Sequence, residues 1–218
     1  GGLPVLVAGG SGLHMRALVD PLDFPPSDAK VRAEIDRMAS ADAVDLLSQA
    51  DAEAGSVVDL KNPRRVQRAL EIWRLTGLTP TDRATSTAAV DVREYRPRVE
   101  FVGVGVDAGV SFEGEIRSRL TQMVGAGLLE EIEYLLPRLG RNARQAVGYK
   151  QLIPVVEGSV PIDDGLEAAA QATIGLAKRQ RTFFRRDPRI DWIEWDADSD
   201  VRLLRAEAII EKDARWNL

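Results

Sequence analysis

The sequence has no cysteine and a single histidine, His14. That excludes a disulfide framework, a thiolate metal site and a cluster of imidazole ligands. With no partner His or Cys, His14 reads as a wall residue rather than a catalyst. Aromatic residues are sparse, at 6%. Long hydrophobic runs are missing too. Each apolar stretch is broken by glycine, proline or charge, so no membrane span is expected. The opening GGLPVLVAGG has no basic n-region of the kind a secretory signal carries. These absences lead to the expectation of a cytoplasmic protein. Positive charge is in the minority, with 29 Lys and Arg against 34 Asp and Glu and a net charge of -5. This argues weakly against nucleic acid, but binding depends on where the charge sits. Repeats and low-complexity segments are also missing.

What is present is enough for one large domain, or for a core with a small insertion. The chain has 218 residues, of which 44% are hydrophobic. Leu3 to Ala8 reads as a short buried strand running into a glycine turn, Gly9-Gly10-Ser11-Gly12, and then a helix over LHMRALVD. Such a unit implies a parallel sheet. A buried strand with no partner before it also leads us to expect strands upstream of it.

Residues 21–29, PLDFPPSDA, read as a boundary rich in Pro and Asp. Val31, Ile35 and Met38 recur at helical spacing, and Leu46 and Leu47 belong to a short second helix. The third helix is the best marked. Asn62 is its N-cap, Pro63 its first residue and Gly77 its stop, with Val66, Ala69, Leu70 and Trp73 on one apolar face. Residues 78–98 read as a polar loop. Val99 to Val106 predicts a second buried strand. Helices follow, one through Phe112, Ile116, Leu120 and Met123 and one through Leu128 to Leu136. A helix start is expected at Gln145–Lys150, and a long helix from about Asp164 to Arg186. Asp191 to Trp195 predicts a third strand, with a final helix through Ile209 and Ile210. The fold class is therefore α/β with a helical insertion.

Three groups of residues could carry chemistry. The glycine turn either admits a phosphate to backbone N–H groups or relieves strain in a tight turn, and Ser11 would add a hydroxyl donor. Arg64, Arg65 and Arg68 sit in five positions of one helix, either to contact phosphate or as a solvated face. Residues 178–186, KRQRTFFRR, place Lys178, Arg181 and Arg185 on one helical face and Arg179 and Arg186 on another. Phe183 and Phe184 lie between them. Basic residues interleaved with aromatics suit nucleic acid; the bland alternative is core packing with solvated charges.

Taken together, these segments resemble the tRNA dimethylallyltransferases, also called tRNA isopentenyltransferases. GGSGLHMRAL resembles that family's GGTGLY-x-RAL segment, and PSDAKVR matches a segment a short way downstream. NPRRVQRALEIWRLTG matches N-x-x-R-x-x-RALEV-x-x-x-TG, and RLTQMVGAGLLEE matches R-x-x-x-M-x-x-x-GL-x-EE. AVGYKQ and AKRQRTFFRR match A-x-GYKE and KRQ-x-TWFR. The resemblance covers essentially the whole chain.

The resemblance implies a P-loop NTPase-like parallel core lacking its N-terminal strands, formed by residues 1–21 and 99–218, with a mainly helical insertion at 22–98. It implies a prenyl transferase that joins a dimethylallyl group from dimethylallyl diphosphate to the exocyclic amine of an adenosine beside the tRNA anticodon. It also implies Mg2+ and a monomer. Carried over by position, Ser11 stands where the family usually has Thr, and Arg119 is assigned to the diphosphate. Arg32, Arg64, Arg65 and Arg68 become tRNA contacts, as do Gln145, Gly148, Tyr149 and Lys150. Lys178, Arg179, Gln180, Arg181 and Arg185 complete the set. No metal ligand falls on this chain.

The departures are as informative. The family's P-loop, G-x-T-x-x-G-K-S/T, and its D-S-x-Q-x-Y segment, which carries the general base, are not in this sequence. His14 replaces a usual Tyr, and Glu115 stands where Arg is common. By itself the chain is therefore expected to bind tRNA poorly or partially and not to catalyse. A non-catalytic RNA-binding fragment is the alternative. A nucleotide kinase-like phosphotransferase would need a Walker lysine and gives the RALEI and KRQRTFF blocks no purpose.

Overall fold

The computed structural model describes residues 5–107, 109 and 111–213. It is mostly helical, with a small parallel sheet. The chain divides into two compact units: Leu13–Phe101, and Gly1–Gly12 together with Val102–Leu218.

The first of these units is all helix. In α1 (Gly12–Val19), Arg16 pairs with the buried Asp20, donates to the carbonyl of Val92 and lies 4.8 Å over the Tyr95 ring. The next helices are α2 (Ala29–Asp36), α3 (Ser40–Ala50), α4 (Ala54–Val57) and α5 (Pro63–Thr76). The Asp28 carboxylate accepts from the Lys30 and Val31 amides at 2.8 and 3.0 Å, which starts α2. On α5 the expected signals act as read: Asn62 caps, Pro63 opens, and Gly77 ends the helix at φ 74°. Ile35, Ala43, Leu47, Ala54, Val66 and Leu70 form one buried cluster from α2 to α5. The cap bond, from the Arg65 amide to Asn62 Oδ1, is long at 3.4 Å. Asn62→Ala is therefore expected to cost about 0.5–1 kcal/mol, the lower part of the capping range. A larger fall in the urea midpoint would show that Asn62 does more than cap.

The expected loop at 78–98 instead holds two short helices, α6 (Pro80–Ala84) and α7 (Thr87–Arg93). Both start on local side-chain caps. Thr79 and Asp82 exchange hydrogen bonds in a capping box, and Ser86 Oγ accepts from the Ala89 amide at 3.2 Å. The Asp51 carboxylate fixes α6 further, accepting from the Thr81 amide at 2.9 Å and its hydroxyl at 3.0 Å.

In the other unit, β1 (Gly103–Val106) pairs in parallel with β2 (Ile190–Ile193), with Gly103 opposite Ile190. Between them come α8 (Phe112–Gly125), α9 (Leu128–Leu135), α10 (Tyr149–Val156) and α11 (Ile162–Phe184), and α12 (Ser199–Ile210) follows. The core joins α9, α10 and α11 through Leu128, Ile132, Leu152, Ile153 and Ala169. The strand expected at residues 99–106 is shorter than its apolar run, and Val99 is half exposed.

The expected first strand is not formed. Val5 to Ala8 has no regular structure, and Leu6 is 90% exposed; Leu3 and Pro4 lie outside the described residues. An unbroken apolar run makes a strand only when a neighbour pairs with its backbone and both faces are covered. Among the described residues, the sheet holds only β1 and β2. No helix among the described residues is long and apolar enough to cross a membrane.

Candidate nucleic-acid interface

The basic segment of α11 is built against the glycine turn. A Cβ on Gly10 would fall 2.6 Å from Gln180 Nε2, and a Cβ on Gly12 would overlap the Phe183 ring. At Gly12 the turn therefore needs glycine so that α11 can approach it, whereas the end of Gln180 can swing away from a side chain at Gly10. Ser11 lies between these two contacts, exposed, one residue before α1. His14 is exposed as well.

The five cations of KRQRTFFRR do not share one fate. Asp107, directly after β1, accepts at Oδ2 from Arg181 at 2.8 Å and also from Arg185. Its Oδ1 accepts from the Gly109 amide at 3.3 Å. Burial pushes the Asp107 carboxyl up, but the Arg185 hydrogen bond and the Arg181 charge outweigh it and hold it below the usual carboxylate range. Arg185 also lies 5.5 Å over the Trp192 ring of β2. Lys178 pairs with Glu113 of α8 at 2.7 Å. The face predicted for Lys178, Arg181 and Arg185 is real, but two acids of the β1–α8 segment already pair with its three cations and leave it a net charge of about +1. Arg179 and Arg186 are exposed and pair with no acid among the described residues. Phe183 is 41% exposed and meets Phe184 edge-on at 5.4 Å.

Elsewhere in this unit, Arg119 on α8 is exposed and has no ion-pair partner among the described residues. Glu115, one turn earlier, accepts from the Ser111 hydroxyl at 3.0 Å. Gln145 ends a 3-10 turn, and Gly148 precedes α10, its amide donating to Gln151 Oε1 at 3.0 Å. Tyr149 donates its hydroxyl to Glu131, and that bond raises the phenol pKa. Lys150 is exposed and unpaired among the described residues.

In the helical unit, Arg32 and Arg68 meet on one acid that the sequence reading passed over. Glu71 is 2% exposed. Its carboxylate accepts from Arg68 Nη1 at 2.7 Å, Arg32 Nη2 at 3.1 Å, Ser27 Oγ at 2.8 Å and the Asp28 amide at 3.2 Å. Burial would raise its pKa, but these donors, Arg68 foremost, bring it down to about 2. Arg68 spends two further bonds on the carbonyls of Pro25 and Pro26, at 2.8 and 3.0 Å. It pins that loop. Arg65 is exposed, with Asp59 at 3.9 Å, and Arg64 is exposed without a partner among the described residues.

Two signals for these missed acids were in the sequence. Glu71 is an acid on the buried face of α5, three residues after Arg68. Asp107 follows the end of a parallel strand, the edge where ligand-facing residues gather. Among the described residues, no three His, Cys, Asp or Glu converge as a metal-binding group. Asp107 is already held by two guanidinium groups. The residues present do not fit an Mg2+ site.

The IPP transferase family model matches residues 1–187. A tRNA dimethylallyltransferase of Bifidobacterium longum subsp. infantis is 36% identical over 196 residues, covering 88% of this chain and 57% of that protein. One of Nocardioides sp. is 36% identical over 204 residues, covering 90% of this chain and 63% of that protein. The chain thus spans less than two thirds of these two relatives. The crystal structure of a full-length tRNA isopentenylpyrophosphate transferase from Bacillus halodurans is 27% identical, with a TM-score of 0.51, over 88% of this chain and 59% of that one. For the fold alone, a tRNA delta(2)-isopentenylpyrophosphate transferase from Staphylococcus epidermidis is similar with a TM-score of 0.58 at 24% identity, over 94% of this chain and 68% of that one. The match runs unbroken from the glycine turn through the basic end of α11, and on that ground this chain belongs to the IPP transferase family.

Proposed function

We propose that the chain is the RNA-gripping part of a tRNA dimethylallyltransferase with a P-loop-like core. In the reaction, the allylic C–O bond of dimethylallyl diphosphate breaks and diphosphate leaves. A bond forms from the allylic carbon to the exocyclic nitrogen of an adenosine beside the anticodon, and that amine loses a proton. The barrier falls when cations neutralise the departing diphosphate. Arg119 suits that role because no acid among the described residues competes for its charge. Ser11 offers a hydroxyl beside the glycine turn. Mg2+ would be held by residues other than those described. The adenine must leave its stack to react, so the stem has to be held by its backbone. Arg32, Arg64 and Arg65 in one unit, and Lys150, Arg179 and Arg186 in the other, are exposed cations for that purpose. Gln145, Gly148, Tyr149, Gln180, Arg181 and Arg185 shape the same surfaces, and Lys178 and Arg68 brace them.

The observation that carries this reading is the seating of Gly10 and Gly12 on Gln180 and Phe183. It supports the reading because it brings the glycine turn and the basic segment of α11 side by side. The test has two steps. An anticodon stem-loop RNA should bind the 218-residue chain with an affinity that falls steeply with salt. Joined to a P-loop segment from a relative and given dimethylallyl diphosphate and Mg2+, the protein should add one isoprenoid unit to that RNA, as read by mass spectrometry. No salt-dependent retention sinks the RNA reading. Binding without transfer by the joined protein favours a non-catalytic RNA-binding role.

A further inference from the structure

We infer that Glu71 is a positioning residue that holds Arg32 in the geometry in which it meets a polyanion. The inference rests on the RNA-binding reading above and adds a residue to it.

Two arginines from different helices reach Glu71, and they are not equivalent. Arg68 closes on Glu71, Pro25 and Pro26, and its side chain is 36% exposed. Three of its bonds go to protein, so it works as a brace. Arg32 is 53% exposed, and only Nη2 faces inward, toward Glu71 and Ser27. The rest of its guanidinium is left to solvent. Ser27 links the pair: its hydroxyl accepts from Arg32 at 2.8 Å and donates to Glu71 at 2.8 Å. A free arginine loses much rotamer entropy when it grips a phosphate, and a guanidinium already tethered on one edge loses less. The acid that tethers it is buried and also paired with Arg68, so it is out of contact with the incoming phosphates and its charge is compensated.

Two effects of the carboxylate oppose each other. Its charge repels a polyanion, and its tether orders the cation. The tether wins if the order of Arg32 matters more than one buried, already compensated charge. The same comparison separates this role from a purely structural one.

The experiment measures binding of a synthetic anticodon stem-loop RNA to the 218-residue chain at about 50 mM salt. Wild type, Glu71→Gln, Ser27→Ala, Arg32→Gln and the double variants with Arg32→Gln are compared, each corrected for its folded fraction by circular dichroism. Arg32→Gln is expected to lower affinity about tenfold, the weight of one phosphate contact at that salt. Glu71→Gln should lower it about three- to fivefold and Ser27→Ala about twofold, as partial losses of that contact. In the Arg32→Gln background both effects should vanish. Nitrogen relaxation of the Arg32 Nε–H should show a more mobile side chain in Glu71→Gln. Ser27→Ala leaves the carboxylate in place, so it reports even if Glu71→Gln folds poorly.

Tighter binding by Glu71→Gln would show that the acid merely repels and would overturn the inference. So would unchanged affinity, an Arg32 side chain as ordered as in wild type, or a Glu71→Gln effect that persists without Arg32. Arg32→Gln binding like wild type would overturn this inference and leave the RNA reading standing. No binding by wild type would overturn both.

Discussion

Glu71→Gln is expected to lower stability by about 2–3 kcal/mol at neutral pH and to remove part of the protein's sensitivity to acid. Glu71 ionises at about 2 in the folded chain, against an ordinary glutamate value of 4.5. A folded-state pKa below the unfolded one means that the unfolded chain takes up the proton first. The contribution is complete above about pH 4.5 and fades as pH falls toward about 2. The shift corresponds to stability of order 3 kcal/mol. Removing one partner of a buried ion pair often costs 3–5 kcal/mol. Here the loss should be smaller, because Arg68 and Arg32 are 36% and 53% exposed and can be rehydrated. Glutamine keeps an oxygen for the Ser27 hydroxyl and the Asp28 amide but gives up the charge. Urea unfolding followed by circular dichroism from neutral pH down to about pH 2 gives the difference curve between variant and wild type. The gap should be widest near neutrality and close through the acid window. Asp51 and Asp107 are also held below their usual range and steepen both curves alike. A gap that stays constant in acid would show that Glu71 carries no depressed ionisation.

How much of this was legible in the sequence depends on where each element draws its stability. Helix α5 was read in full because its cap, its proline and its terminal glycine are local signals. The glycine turn and the helix after it were read for the same reason. Residues 78–98 have the composition of a loop, and local chemistry overrides it. Thr79, Asp82 and Ser86 do announce two helix starts, but each helix is shorter than any apolar period can reveal. Val5 to Ala8 failed in the opposite sense. Its residues favour a strand, yet a strand is completed by partners, and pairing is not a property of the segment.

The candidate site shows the same division. The cations were visible because arginines cluster in sequence. Their partners were not, because the acids come from elsewhere in the chain: Asp107 is 74 residues before Arg181, and Glu71 is 39 residues after Arg32. Helical spacing alone grouped Lys178, Arg181 and Arg185 as one binding face. Spacing assigns residues to faces, but only packing shows which face is already occupied. The family resemblance marked the whole block without separating braced cations from open ones.

That separation leads to the second large effect. Arg179→Gln combined with Arg186→Gln should weaken stem-loop binding by roughly fifty- to a hundredfold at about 50 mM salt. Each cation that neutralises a phosphate releases about 0.7–0.9 of a counterion, so its weight grows as salt falls. Relative to molar salt, about 50 mM adds close to one decade per contact, and two contacts give close to two decades. The slope of log affinity against log salt should drop by about 1.4–1.8. Arg181→Gln with Arg185→Gln should act differently. Those guanidinium groups already share Asp107, so removing them deletes two cations but also frees one carboxylate next to the RNA. The slope should change by no more than about one contact, and part of the loss should appear as lower stability. Asp107→Asn separates the two roles again. It releases Arg181 and Arg185 from their acid and should strengthen binding at low salt by a few-fold, with a modest fall in the unfolding midpoint. If the 181/185 pair instead lowers the slope by two contacts and the 179/186 pair leaves it unchanged, RNA displaces Asp107 and takes the inner face of α11.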